Sequence, residues 1–175
     1  RSFFGDGIVA HISTAQPFCP KLSAQLVEAL QEQDVVVHNG GTYITIEGPR
    51  FSTRAESNTF RSWGMSLVGM TAAPEVFLAR EAEICYATMA HVTDYDCWHI
   101  SEEPVSVEMV NKTLSQNTAV AQNALIRLVD FVSEDDGTAA CECDQALKNA
   151  IMTNPEKINE ETRSRLHLLV DKYLG

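Results

Sequence analysis

No apolar run in this sequence reaches the roughly 20 residues that a membrane helix requires. The longest, Val68 to Ala82, is broken by Thr71, Pro74, Glu75 and Arg80, so a soluble chain is expected. Positive charge is scarce: thirteen Lys and Arg stand against twenty-four Asp and Glu, a formal net charge of −11. That balance offers no basic footprint for a nucleic-acid backbone or an anionic membrane, and neither is expected as a partner. The five cysteines, at 19, 85, 97, 141 and 143, are odd in number and scattered, and no basic-plus-apolar leader precedes them. A reducing, cytoplasmic location is the expectation. A glycine-rich phosphate loop, a G-x-S-x-G elbow and a complete Ser/His/Asp motif are missing as well. The sequence opens on Arg1, with Phe3-Phe4 and Gly5-Asp6-Gly7 directly after it. This pattern suits the middle of a fold, and upstream residues are expected to complete it.

What is present is enough for a core. With 175 residues, 45% hydrophobic and 21% charged, the chain has the size and composition of one domain. Leu22, Leu26 and Leu30 recur at helical spacing behind Cys19-Pro20, which predicts a helix over 20–32. Val35 to Val37 reads as a short strand, and Tyr43 to Ile46, bounded by Gly40-Gly41 and Gly48-Pro49, as a second. Residues 53–63 favour helix up to Gly64, placed where a C′ glycine belongs. Ser66 to Met70 is a strand candidate, and Pro74-Glu75 suits a helix start. Ile84 to Val92 is an almost continuous apolar run, the pattern of a strand buried on both faces. From Val107 to Val132 a helical period returns, with Ser106 as its N-cap. An acidic loop over 133–144 then precedes a helical tail over 145–175. Alternating helices and strands imply an α/β layered domain whose ligands lie beyond the carboxyl ends of its strands. Two such ends are Met70-Thr71 and Thr93-Asp94-Tyr95-Asp96.

Three clusters could carry chemistry. His91, Asp94, Asp96 and His99, with Glu102 and Glu103 beyond, are metal-ligand types. Alternation along a strand turns His91 away from Asp94, so a solvated acidic loop is the plainer reading, and no metal is expected. Alternatively, a carboxyl at a strand end, partly removed from water, keeps its proton more readily and can protonate a nitrogenous leaving group; Asp94 is the candidate. Glu47-Gly-Pro-Arg-Phe-Ser52 is a turn that delivers an aromatic face and a hydroxyl after a strand. Phe51 could stack on a flat base, although a phenylalanine in a turn is more often a core plug. Arg50 and Arg54 could hold phosphate, while Arg54 beside Glu56 and Glu75 could equally form an ion pair. Cys141-Glu-Cys143, in an acidic loop with no other Cys or His at ligand spacing, reads as two exposed thiols. Cys19, Cys85 and Cys97 read as small core residues.

Two runs become specific together: Thr45-Ile-Glu-Gly-Pro-Arg-Phe-Ser-Thr-Arg-Ala-Glu56, and Gly69-Met-Thr-Ala-Ala-Pro-Glu-Val76 followed by Thr93-Asp-Tyr-Asp-Cys-Trp98. In order and spacing they resemble the trimeric purine nucleoside phosphorylase family, in its branch acting on S-methyl-5′-thioadenosine. The resemblance is dense from His11 to Phe131, thins after Ser133, and corresponds to the later part of such an enzyme, its glycine-rich phosphate loop having no counterpart here. It implies one domain of three layers, a mixed central β-sheet flanked by helices, and a homotrimer. It also implies phosphate-dependent cleavage of an N-glycosidic bond, a glycosyltransferase reaction of purine and methionine salvage, with phosphate as co-substrate and no cofactor. Carried over by position, Phe51 matches the base-stacking aromatic and Ser52 its polar neighbour. Met70 matches the backbone amide that meets the ribose hydroxyls, and Thr71 a phosphate ligand. Asp94, as catalytic acid, and Asp96 match the carboxylates on the purine edge. Val107 and Val110 match the wall near the methylthio group, and His11 the histidine offered by a neighbouring subunit. A carboxylate rather than an amide at 94 suits adenine. Preference for a 6-oxopurine, or a non-catalytic role in nucleoside binding or oligomerisation, stays open at this point.

Overall fold

The computed structural model describes residues 1–99, 106–134 and 141–174, with the backbone alone at Gln116. The elements in chain order are α1 (Pro20–Gln31), β1 (Tyr43–Thr45), α2 (Arg54–Ser62), β2 (Leu67–Gly69), α3 (Ala72–Glu81), α4 (Val107–Glu134) and α5 (Glu160–Leu174). Short 3-10 turns occupy Cys143–Gln145 and Pro155–Lys157. The chain divides into two compact units: Arg1–Ser23, Ala73–Thr88 and Asp136–Gly175 form the first, Ala24–Ala72 and Met89–Asp135 the second.

In the first unit, Ile8, Leu166 and Val170 form a buried cluster with Phe4, Ile151, Ile158, Leu169 and Leu174 packed around it. Leu166 and Val170 are four apart and so lie on one face of α5, which fixes that face inward. A single antiparallel bridge pairs Ala10 with Ile151. Glu83, in the left-handed region at φ 57°, gathers three donors: the Leu147 N–H at 2.9 Å, the Tyr173 hydroxyl at 2.5 Å and the Lys172 ammonium at 3.1 Å. Burial opposes ionisation there, yet these donors, Tyr173 foremost, hold the Glu83 carboxyl below its ordinary range.

In the second unit, β1 and β2 pair in parallel with Tyr43 opposite Leu67, Ile44 opposite Val68 and Thr45 opposite Gly69. The ladder is prolonged by the Ile46 N–H donating to the Gly69 carbonyl at 2.8 Å. Between the strands, α2 is closed at both ends. Thr53 and Glu56 form a reciprocal capping box, and Gly64 takes the left-handed φ of 77° that a residue past a helix end needs. Ser106 caps α4, its hydroxyl accepting the Met109 N–H at 3.2 Å. Arg127 of α4 pairs with Glu32 just beyond α1 at 2.8 Å.

Two expected strands do not form. Val35 to Val37 lies outside any strand, with Val36 85% exposed: high β propensity without a pairing neighbour leaves a loop. Ile84 to Val92 is likewise unpaired, with Ile84 and Val92 exposed. A strand buried on both faces needs flanking strands, and the described residues supply only the two-stranded sheet. Residues 135–140 of the 133–144 segment lie outside the described residues. Ser133 belongs to α4, and Cys143, expected to be an exposed thiol, is buried.

Candidate nucleoside site

Three segments of the second unit meet at the ends of β1 and β2. The first is the turn Gly48 to Ser52 after β1. A methyl group added at Gly48 would come within 2.7 Å of the Met70 sulfur, so glycine permits the close approach of this turn to the residue that follows β2. The second is Met70-Thr71, directly after β2, with Met70 half-buried and Thr71 exposed. The third is the Thr93–Cys97 loop, joined to the first by the Cys97 thiol donating to the Ser52 carbonyl at 3.4 Å. Burial, aided by the neighbouring Asp96 charge, pushes the Cys97 thiol up and keeps it a donor.

Asp94 is held from both sides. One carboxyl oxygen accepts the Thr93 hydroxyl at 2.5 Å and the other the Asp96 N–H at 2.8 Å. This second bond bends the chain locally and puts Asp96 in the left-handed region at φ 62°, a conformation that aspartate tolerates better than most residues. Asp96 in turn accepts the Cys97 N–H at 2.7 Å. Each carboxyl plane is thus oriented by its immediate chain neighbours, and both residues remain half-buried, within reach of a ligand.

Phe51 is 43% exposed. It is therefore not the core plug that turn phenylalanines usually become, and it leaves a ring face available for stacking. Arg50 donates in parallel through two nitrogens to Glu56, at 2.6 and 2.8 Å. Glu56 is the partner of Arg50 rather than of Arg54, while Glu75 accepts the Tyr86 hydroxyl at 2.9 Å. The Arg50 hydrogen bonds, with those from Thr53, lower the Glu56 carboxyl to about 2.

Val107 and Val110 share one face at the start of α4, Val107 well exposed and Val110 half-buried. Their spacing is observed, but no described contact joins them to the Phe51 turn. His11 lies in the first unit, where its N–H donates to the Ala150 carbonyl at 2.9 Å and its side chain lines an open depression with Ser13, Arg80 and Lys148. The metal-ligand arrangement weighed for His91, Asp94, Asp96 and His99 is not formed: among the described residues these donors do not converge. Glu102 and Glu103 lie outside the described residues. Two supports had no signal in the sequence. The Arg61 guanidinium sits 3.6 Å from the centre of the Trp98 ring, and Tyr95 stacks on His99 at 5.0 Å. Both brace the loop that carries the two aspartates.

Comparison with known proteins decides the family. The model of the phosphorylase superfamily matches residues 1–130. The chain belongs to that superfamily. The chain is 49% identical over 174 residues to the S-methyl-5′-thioadenosine phosphorylase of Geobacter sulfurreducens, covering 99% of the chain and 60% of that relative. To the enzyme of the same name from Thermosynechococcus vestitus it is 49% identical over 176 residues, with the same coverages. Among solved structures, a methylthioadenosine phosphorylase from an antarctic soil metagenomic library superposes with a TM-score of 0.87 at 41% identity, over 97% of this chain and 59% of that one. The Schistosoma mansoni methylthioadenosine phosphorylase in complex with adenine superposes with a TM-score of 0.78 at 33% identity, over 86% of this chain and 60% of that one. The α/β phosphorylase fold expected from the motifs is therefore the fold of this chain. The likeness reaches further than the motifs suggested, since the alignment with the curated relatives runs through the segment after Ser133. The chain spans about 60% of the length of those relatives and corresponds to their later part.

Proposed function

We propose that this chain carries the nucleoside-binding part of an S-methyl-5′-thioadenosine phosphorylase, which splits its substrate with inorganic phosphate into adenine and 5-methylthioribose 1-phosphate. The observation that carries this reading is the junction of the Phe51–Ser52 turn with the Asp94–Asp96 loop through Cys97 and Ser52. It joins the turn that bears an exposed aromatic ring to the loop that bears two oriented carboxyls, which supports a reading as a site for a flat, amine-bearing base.

As the bond between N9 and C1′ breaks, its electron pair leaves with the base, and a phosphate oxygen bonds to C1′. Asp94 donates its proton to N7, cancelling the negative charge on the departing purine, and Asp96 supports the purine edge. Phe51 stacks on the ring, with Ser52 beside it. The Met70 amide meets the ribose hydroxyls, and Thr71 helps hold the phosphate. Val107 and Val110 wall the methylthio group, and His11 closes the corresponding pocket of a neighbouring subunit. Acid at one end of the transition state and an anion at the other stabilise charges of opposite sign.

The enzyme is read as a cytoplasmic homotrimer with no cofactor. Leu125, Ile126 and Val129 on α4 stand exposed in the single chain, and a subunit contact would cover such a patch. The test is adenine release from S-methyl-5′-thioadenosine by the protein at its natural full length, with and without phosphate. Release that requires phosphate supports the reading; nucleoside binding without turnover, or faster turnover of inosine, overturns it.

A further inference from the structure

Four of the five cysteines play no part in the nucleoside chemistry, yet the fold brings them together. The sulfurs of Cys19, Cys85, Cys141 and Cys143 all lie within 4.8 Å of one another, and the Cys85–Cys141 pair is 3.4 Å apart. They come from three stretches of the first unit: the residue preceding α1, the extended segment after α3, and the C-x-C leading into the 3-10 turn at Cys143–Gln145. Cysteines drawn together only by apolar packing need bring no sulfurs to a common point. An ion bonded to four thiolates at about 2.3 Å in tetrahedral array requires its sulfurs about 3.8 Å apart. That spacing falls between the Cys85–Cys141 distance and the 4.8 Å within which all four sulfurs lie.

The surroundings suit anionic sulfur. The Leu22 N–H, in the first turn of α1, donates to the Cys19 sulfur at 3.4 Å. The Cys143 backbone N–H does the same for Cys141. Such N–H donors orient metal-bound thiolates and spread their charge. Cys19 and Cys143 are buried, whereas Cys85 is exposed and Cys141 half-buried. The cluster therefore has a closed side and an entry side, as ion uptake requires.

We propose that Cys19, Cys85, Cys141 and Cys143 bind one structural zinc ion, a site separate from the nucleoside chemistry. Four thiol protons leave and one Zn²⁺ enters, giving a closed tetrathiolate centre of net charge minus two. No electron moves, and no coordination position stays open for catalysis. The same four sulfurs could instead be oxidised to two disulfides, which needs an oxidant and would draw each pair to about 2.05 Å. The ion would fix the C-x-C segment to the start of α1, and its binding energy would add to the stability of the first unit.

The experiment is elemental analysis and native mass spectrometry of the full-length protein, purified with zinc present and chelators absent, together with Cys97→Ser and Cys143→Ser variants. One zinc per chain is expected in the unaltered protein and in Cys97→Ser, whose sulfur lies outside the cluster, with loss to background in Cys143→Ser. Should Cys143→Ser fail to fold, cobalt exchanged into the unaltered protein decides. Intense thiolate-to-cobalt absorption with a tetrahedral ligand-field spectrum supports the site, and its absence overturns it. The proposal is equally overturned by a zinc-free protein whose four thiols all react with a thiol reagent, or by a mass lowered by the four hydrogens of two disulfides. None of these readouts depends on nucleoside cleavage.

Discussion

The two units hold their important side chains by opposite means. In the second, Asp94 and Asp96 are fixed by partners one or two residues away, Thr93, the Asp96 N–H and the Cys97 N–H, and both stay half-buried. In the first, Ile8 meets Leu166 and Val170 across the chain, and sulfurs from positions 19, 85, 141 and 143 converge. A site built from neighbours is tuned by local turns and tolerates damage to distant packing. One built from distant segments exists only once the unit has folded.

The sharpest way to break this contrast is Asp94→Ala. With Asp94 as the proposed proton donor, its loss is expected to lower kcat for the proposed adenine release about 10²- to 10⁴-fold. The unfolding midpoint should barely move, since the hydrogen bonds lost are local. A comparable fall in stability would make Asp94 a structural residue. Leu166→Ala is the converse: truncating a buried leucine is expected to cost about 2–5 kcal/mol in denaturant unfolding. Turnover per folded molecule should be unchanged, and a large change in KM would show that the two regions are not separable. A smaller effect is expected at Gly48→Ala. The new methyl group meets the Met70 sulfur at 2.7 Å, and displacing that flexible side chain should raise the nucleoside KM about fivefold, equivalent to about 1 kcal/mol, with kcat little altered.

Smallest is the pH response of Glu56. Its carboxyl is lowered from 4.5 to about 2 by the Arg50 and Thr53 hydrogen bonds. A depressed carboxylate stabilises the fold above its unfolded value and loses that contribution as pH falls through its folded one. The difference in thermal midpoint between the unaltered protein and Glu56→Gln should therefore be constant above pH 4.5 and vanish near 2. Because the pair is exposed, salt should shrink the difference. A difference persisting below that window would assign the effect to packing.

The same division explains what the sequence disclosed. Helix α1, the Gly64 stop and the Ser106 cap were legible because each is specified by residues within a few positions. So were the Thr93–Asp96 and Gly48–Ser52 runs, and with them the family. The apolar runs at Val35 and Ile84 misled, because a strand is defined by its partner and apolar character names none. The cysteine cluster was invisible for the same reason: spacings of 66 and 56 residues between Cys19, Cys85 and Cys141 match no linear ligand pattern. The C-x-C pair then read as isolated thiols. Nor could periodicity reveal that Arg61 would cover Trp98 or that Cys97 would bond to Ser52.

The cluster of donors on Glu83 bears on how the polypeptide can be handled. Two of its three partners, Lys172 and Tyr173, are consecutive residues in the last turn of α5. Removing both side chains would strand a partly buried anion beside the Leu147 amide. Expression designs that keep Lys172 and Tyr173 should preserve α5, whereas truncation back to Val170 should release it.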